Sequence, residues 1–119
     1  MSSRILLVDD DRLLREVIGE HLSAFGYEVD LAEDGEHAYA KFRPGKYQLA
    51  ILDLMMPGMN GLELMQKLRH EDDSIFCLIM TGYPTIDSAY KAMIEGASDY
   101  IIKPFQLMEL INIVQKYIH

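Results

Sequence analysis

Short apolar runs alternate with longer segments of helical periodicity along this whole chain, and that alternation is the signature of a parallel β-sheet covered by helices on both faces. Four of the runs close on a chemically active side chain. Ile5-Leu6-Leu7-Val8 stops at Asp9-Asp10, Leu49-Ala50-Ile51-Leu52 at Asp53, Cys77-Leu78-Ile79-Met80 at Thr81, and Tyr100-Ile101-Ile102 at Lys103. In a parallel sheet these ends share one edge, where open α/β folds place their ligand sites. Three carboxylates, a hydroxyl and an ammonium are therefore expected to meet in one crevice.

The intervening segments read as helices. After Asp11, an expected N-cap, Leu14, Val17, Ile18, Leu22 and Phe25 recur at three- and four-residue spacing, and Gly26 supplies a left-handed stop. A weaker second strand, Glu28 to Ala32, precedes a modest helix from about Gly35 to Phe42 with Asp34 as its N-cap; Pro44-Gly45 then breaks the chain. The third strand is expected over Gln48 to Asp53. It leads into Met55-Met56-Pro57-Gly58-Met59-Asn60-Gly61, where the methionines are assigned no side-chain role. Asn60 and Glu63 are spaced as a capping box ahead of a helix carrying Leu64, Met65 and Leu68. The fourth strand is expected over Ile75 to Met80, and Pro84 suits the opening of the next helix, through Ala89 and Met93 to a stop at Gly96. Ser98 to Ile102 forms the fifth strand. The last helix starts near Phe105 and carries Leu107, Leu110, Ile111, Val114 and Ile118 on one side. Five βα units fill residues 1–119 as one expected domain.

Nineteen acidic residues against eleven Lys and Arg give a net charge of −8, which opposes contact with nucleic-acid phosphates and anionic lipid. The segment is accordingly expected to bind neither DNA nor membrane. No apolar stretch is long enough to cross a bilayer, and Met-Ser-Ser is no secretory signal, so the expected location is cytoplasmic. The one cysteine, Cys77, lies inside an apolar run and reads as a small buried hydrophobe. His21, His37, His70 and His119 lack metal-ligand spacing and read as solvated or packing residues.

Asp9, Asp10 and Asp53 brought within a few ångströms would repel one another by several kcal/mol per adjacent pair in a partly buried site, on the order expected at intermediate dielectric. Such a cluster calls for a cation. Oxygen donors without nitrogen or sulfur suit a hard ion that keeps several waters, which means Mg²⁺ or Mn²⁺. Beside that ion one carboxylate can act as a nucleophile toward phosphorus, and Asp53, alone at its strand end, is the candidate. Thr81 and Lys103 would meet the charge on the transferred group. Each feature alone has a structural reading, such as a helix cap or turn chemistry. The joint pattern in chain order is far more specific.

Leu6-Leu7-Val8-Asp9-Asp10, Leu52-Asp53-Leu54-Met55-Met56-Pro57-Gly58-Met59-Asn60-Gly61, Met80-Thr81-Gly82 and Ile102-Lys103-Pro104-Phe105 together resemble the signatures of the receiver domain of two-component response regulators. The resemblance covers essentially the whole chain. It implies a flavodoxin-like (βα)5 doubly wound sheet of order 2-1-3-4-5, with Asp53 as phosphoacceptor. It implies that Asp10, Asp53 and the Met55 carbonyl bind Mg²⁺ directly, while Asp9 acts mainly through water. Thr81 and Lys103 contact the phosphoryl oxygens, Tyr100 is the aromatic switch, and the Lys103-Pro104 bond is cis. The implied partners are a sensor histidine kinase or a histidine phosphotransfer protein, and an output domain or partner reading the surface of the fourth helix, fifth strand and fifth helix. The implied state is a monomer or a phosphorylation-dependent dimer. Thr81-Gly82-Tyr83-Pro84-Thr85-Ile86-Asp87-Ser88-Ala89 further resembles receivers joined to σ54-activator ATPase modules.

Two other classes compete with this signalling reading. An Asp-nucleophile phosphohydrolase usually has a second acid/base Asp near its nucleophile, whereas residue 55 is Met. A phosphorylation-independent interaction module would not need Asp53, Thr81 and Lys103 intact.

Overall fold

The computed structural model describes residues 3–119. Its elements follow the order β1 (Arg4–Val8), α1 (Arg12–Ala24), β2 (Glu28–Ala32), α2 (Gly35–Lys41), β3 (Leu49–Asp53), α3 (Gly61–Glu71), β4 (Phe76–Thr81), α4 (Ile86–Ile94), β5 (Asp99–Ile102) and α5 (Leu107–Tyr117). The five strands are parallel in the order β2-β1-β3-β4-β5.

The central strands are apolar on both sides because both faces are covered. Leu6, Val8, Ala50, Leu52, Cys77 and Ile79 pack with residues of α2, α3 and α4, including Ala38, Leu64, Met65, Leu68 and Ala92. Their strand neighbours Ile5, Leu7, Leu49, Ile51, Leu78 and Met80 pack the other way, with Ile18 and Leu22 of α1 and Leu110, Ile111 and Val114 of α5. Alternation of side chains along each strand thus fills two cores from one sheet. Asp53 is the last residue of β3 and is still in register with Met80, so its position is set by the sheet and not by a free loop.

Side-chain caps start most helices. Asp11 accepts from the Leu14 N–H at 3.1 Å, Asp34 from His37 at 2.8 Å and Asn60 from Glu63 at 2.9 Å. Each such cap contributes about 1 kcal/mol. The Asn60 cap is one-way, since among the described residues no bond returns from the Glu63 side chain. Gly26 stops α1 with φ +94°, a conformation that L side chains rarely adopt.

The structure corrects several expectations. Pro84 does not open α4. Thr85 is the N-cap, and it exchanges hydrogen bonds with Ser88 in a capping box that leaves Pro84 outside the helix. The second helix ends at Lys41 with Phe42 as its C-cap, β3 begins at Leu49, β4 runs from Phe76 through Thr81, β5 begins at Asp99 and α5 begins at Leu107 with Gln106 before it. Gln48 stays outside β3, its side chain accepting the Arg4 N–H at 2.7 Å. Val17 and Phe25 are exposed at 40% and 43%, because α1 centres its buried stripe on Ile18 and Leu22. Met93 is also exposed: α4 turns the small Ala92 to the sheet and leaves Ile86, Tyr90, Met93 and Ile94 outside.

Met56 and Met59 pack against the core, so these two side chains do have a role. Met55 alone of the three is mostly exposed. Cys77 is buried, and burial pushes its thiol up to about 12, which leaves it inert as expected.

Candidate functional site

The ends of β1, β3, β4 and β5 deliver their polar residues to one edge. Asp9 and Thr81 are fully buried, Asp53 is 5% exposed, and Asp10 is exposed. Asp9, Asp10 and Asp53 each offer a carboxylate oxygen within 4.8 Å of the others. Lys103 reaches across from β5, its Nζ donating to Asp9 Oδ2 at 2.8 Å and to Asp53 Oδ2 at 3.2 Å. Asp9, Asp10, Asp53 and Lys103 therefore come together as the sequence predicts, and Thr81 is joined to Lys103 through the backbone.

Backbone geometry holds each group. The Met55 N–H donates to Asp53 Oδ1 at 3.2 Å, and the Leu54 N–H continues the ladder to the Met80 carbonyl at 2.8 Å. Beneath them, Gly61 opens α3 against the backbone of Asp53 and Leu54, with its N–H on the Leu54 carbonyl at 3.0 Å. A Cβ at position 61 would fall on the Asp53 carbonyl oxygen. Thr81 Oγ1 accepts the Tyr83 N–H at 3.1 Å, the Lys103 N–H bonds the Thr81 carbonyl at 2.8 Å, and the Lys103-Pro104 bond is cis.

The electrostatics are those of a crowded, partly dry site. Burial, followed by the charge of Asp9, pushes the Asp53 carboxyl up to about 6, against the opposing pull of the Lys103 ammonium and the Met55 N–H. Burial works against the Lys103 ammonium, but its hydrogen bond and charge contact with Asp9, and then Asp53, outweigh that and hold it above the usual lysine range. One ammonium thus serves two buried carboxylates, with the Asp10 carboxylate beside them.

Three participants were not visible as such in the sequence. Arg15 Nη1 donates to the Asp9 carbonyl at 2.7 Å and the Asp11 N–H to Asp9 Oδ1 at 2.8 Å, so Asp9 is tied at its carbonyl and, with Lys103, at both carboxylate oxygens. Arg15 follows the helix cap by one turn, and only the folded geometry of α1 aims it back. Gly61 is the third; its signal was merely the Asn-Gly pair in a turn-rich loop.

Of the histidines, His37 donates its backbone N–H to Asp34 Oδ1 and shares a 2.8 Å ring contact with the same oxygen. Glu33, Asp34 and His37 form a second group of closely spaced donors, on the surface at the start of α2. The hydrogen bond that its ring N–H donates to Asp34 raises the His37 ring above the usual histidine range. No helix among the described residues is long and apolar enough to cross a membrane.

Known proteins share this fold. The profile of the response regulator receiver domain matches residues 5–115. The chain is 41% identical over 115 residues to the regulatory protein VanRB of Enterococcus faecalis, covering 97% of this chain and 52% of that protein. It is 40% identical over 111 residues to the response regulator MprA of Mycobacterium tuberculosis, covering 93% and 48%. The chain spans about half the length of the curated relatives it matches. Among solved structures, chemotaxis protein CheY4 of Vibrio cholerae superposes with a TM-score of 0.92 at 28% identity, over 99% of this chain and all of that one. The response regulator TrrA of Thermotoga maritima, solved in complex with Mg²⁺ and a beryllium fluoride, gives 0.84 at 39% identity, over 98% and 99%.

The fold and the acidic edge define a CheY-like α/β signalling domain. More specifically, the chain belongs to the response regulator receiver family, whose work is phosphoacceptor signalling in two-component systems.

Proposed function

We propose that Asp53 is the phosphoacceptor of this chain and that residues 1–119 form one receiver unit. One observation carries the assignment: Asp53 is the buried carboxylate of the cluster whose oxygens, among the described residues, face only the Met55 N–H and the shared Lys103 ammonium. Asp9 is engaged at both oxygens, and Asp10 lies in solvent.

The donor set fits a hard divalent ion. Three carboxylates within 4.8 Å, without nitrogen or sulfur and balanced by a single ammonium, leave an uncompensated charge of about two that Mg²⁺ or Mn²⁺ would neutralise. Asp10, Asp53 and the Met55 carbonyl would hold the ion, and the tied oxygens of Asp9 suit contact through water. When bound, the ion supplies charge neutralisation for the three carboxylates and an oxygen of the incoming phosphoryl group.

An Asp53 oxygen forms the new bond to phosphorus while the bond to the donor's leaving group breaks, and the leaving group takes its proton from solvent. The donor is a phosphohistidine of a sensor kinase or phosphotransfer protein, or a small acyl phosphate. Lys103 moves its ammonium from Asp53 Oδ2 toward the new phosphoryl oxygens, and the buried Thr81 hydroxyl, which accepts the Tyr83 N–H here, donates its proton to another of them. Charge alone drives both shifts. Tyr100, two residues before the end of β5, then re-packs, and the surface of α4, β5 and α5 changes for an output domain or partner. The exposed Ile86, Tyr90, Ile94, Ile102 and Met108 support that surface as the one that is read. In this reading the chain works in the cytoplasm.

Intact-mass measurement tests the proposal. With Mg²⁺ and a small acyl phosphate the protein should gain one phosphoryl group, about 80 Da, and Asp53→Asn should gain none. An unmodified mass with several donors, or modification that survives Asp53→Asn, would remove Asp53 from this role.

A further inference from the structure

We infer that Ser88 is the catch of the switch, a positioning residue that holds Tyr100 on α4 until the site is charged; the inference rests on the reading of Tyr100 given above. Four contacts converge on the start of α4. Thr85 Oγ1 accepts the Ser88 N–H at 2.9 Å, the Thr85 N–H donates to Ser88 Oγ at 3.1 Å, Ser88 Oγ donates to the Thr85 carbonyl at 3.1 Å, and Ser88 Oγ lies 3.1 Å from the Tyr100 hydroxyl.

A serine hydroxyl has one proton and two acceptor positions. Here the proton goes to the Thr85 carbonyl and one acceptor position to the Thr85 N–H, so the remaining position takes the Tyr100 proton. Tyr100 is therefore the donor, and with it in place Ser88 has every position filled. The phenol is thus a third member of the helix cap, beside Thr85 and Ser88. Its ring is half-buried against the core beside β4, while the rest of α4 has little hold on the body, since Ala92 is its one buried residue.

Moving the ring away from α4 empties one acceptor position of Ser88 and removes a tie between β5 and the helix whose apolar stripe faces solvent. The catch accordingly favours the form seen here by the worth of one neutral hydrogen bond, which corresponds to about a fivefold population ratio. No sequence rule marks this serine, because Ser at the third helical position reads only as a cap partner.

The test observes the ring directly. In metal-free protein carrying ¹³C-labelled tyrosine, relaxation dispersion on the Tyr100 ring reports the minor re-packed population. Ser88→Ala should raise it about fivefold, and Ser88→Thr, which keeps the hydroxyl and the cap, should return it to the wild-type value. An unchanged population in Ser88→Ala, a rise in Ser88→Thr equal to that in Ser88→Ala, or no exchange of the ring in any variant would each overturn the inference. Binding of Mg²⁺ with beryllofluoride, followed by titration, should tighten in Ser88→Ala by the same factor. A ring that shifts as expected in a protein that binds no beryllofluoride would retain the catch and refute the phosphoacceptor reading; binding that is equally tight in both proteins would refute the catch alone.

Discussion

Replacing Asp53 by Asn should stabilise the metal-free protein, and by an amount that depends on pH. The Asp53 carboxyl titrates near 6 in the folded chain against an ordinary value of 3.8. Below the lower value both states are protonated and the group contributes nothing. As pH rises from 3.8 to 6, the unfolded chain ionises first, binds fewer protons than the folded one, and stability falls; above 6 the full penalty stays. A gap of roughly two pH units corresponds to about 3 kcal/mol near neutral pH, shrinking to about 1 kcal/mol around pH 4.5. Asparagine keeps the shape and loses the charge, so urea unfolding of both proteins in a chelator, followed by circular dichroism, should show the variant ahead by those amounts. The thermal midpoint should rise by about 4 °C for each kcal/mol. An Asp53→Asn protein no more stable than wild type at neutral pH, or one whose advantage is the same around pH 4.5, would refute the claim that buried like charge is concentrated at this residue.

Mg²⁺ at about a hundred times its dissociation constant should raise wild-type stability by about 2.7 kcal/mol and leave Asp10→Asn nearly unmoved, as read by thermal unfolding with and without the ion. Lys103→Ala leaves two buried carboxylates without their shared ammonium and should lower metal-free stability by about 3 kcal/mol, with Mg²⁺ recovering part of the loss in the same urea assay. Gly61→Ala drives a methyl group onto the Asp53 carbonyl and should cost about 2 kcal/mol while slowing phosphorylation measured by intact mass.

The parts of the fold that were legible in sequence were those dictated by burial on two faces. β2 lies where it was expected, over Glu28–Ala32, and β1, β3 and β5 end where they were expected, at Val8, Asp53 and Ile102. The strand starts shifted by a residue because a strand's first bonds depend on its neighbour, as with Gln48, which bonds the Arg4 carbonyl and the Phe76 N–H through its backbone but meets the Arg4 N–H with its side chain. Pro84 misled because proline tolerates the first helical turn, yet Thr85 and Ser88 satisfy two orphan N–H groups that proline cannot. The same kind of gap hid Arg15. A guanidinium six residues from Asp9 has no sequence mark that separates it from a solvated helix residue, and its 2.7 Å bond to the Asp9 carbonyl exists only after α1 docks.

The acidic edge can persist because the backbone around it has no easy way to relax. Asp53 is paired to Met80 within the sheet, Leu54 is bonded to the Met80 carbonyl on the next position, and Gly61 bonds Leu54 from below. Fraying Asp53 away from Asp9 would break that ladder and pull Leu52 and Leu54, both buried, out of the core under α3. Each buried leucine side chain is worth roughly 1.5–3 kcal/mol, comparable to the repulsion that relaxation would relieve. The charge therefore stays compressed against Lys103. A cation is then a low-energy route to relief, and in the proposed reading a phosphoryl group that draws Lys103 and Thr81 toward itself is another, with the pairing of β4 with β5 joining Thr81 to the strand of Tyr100.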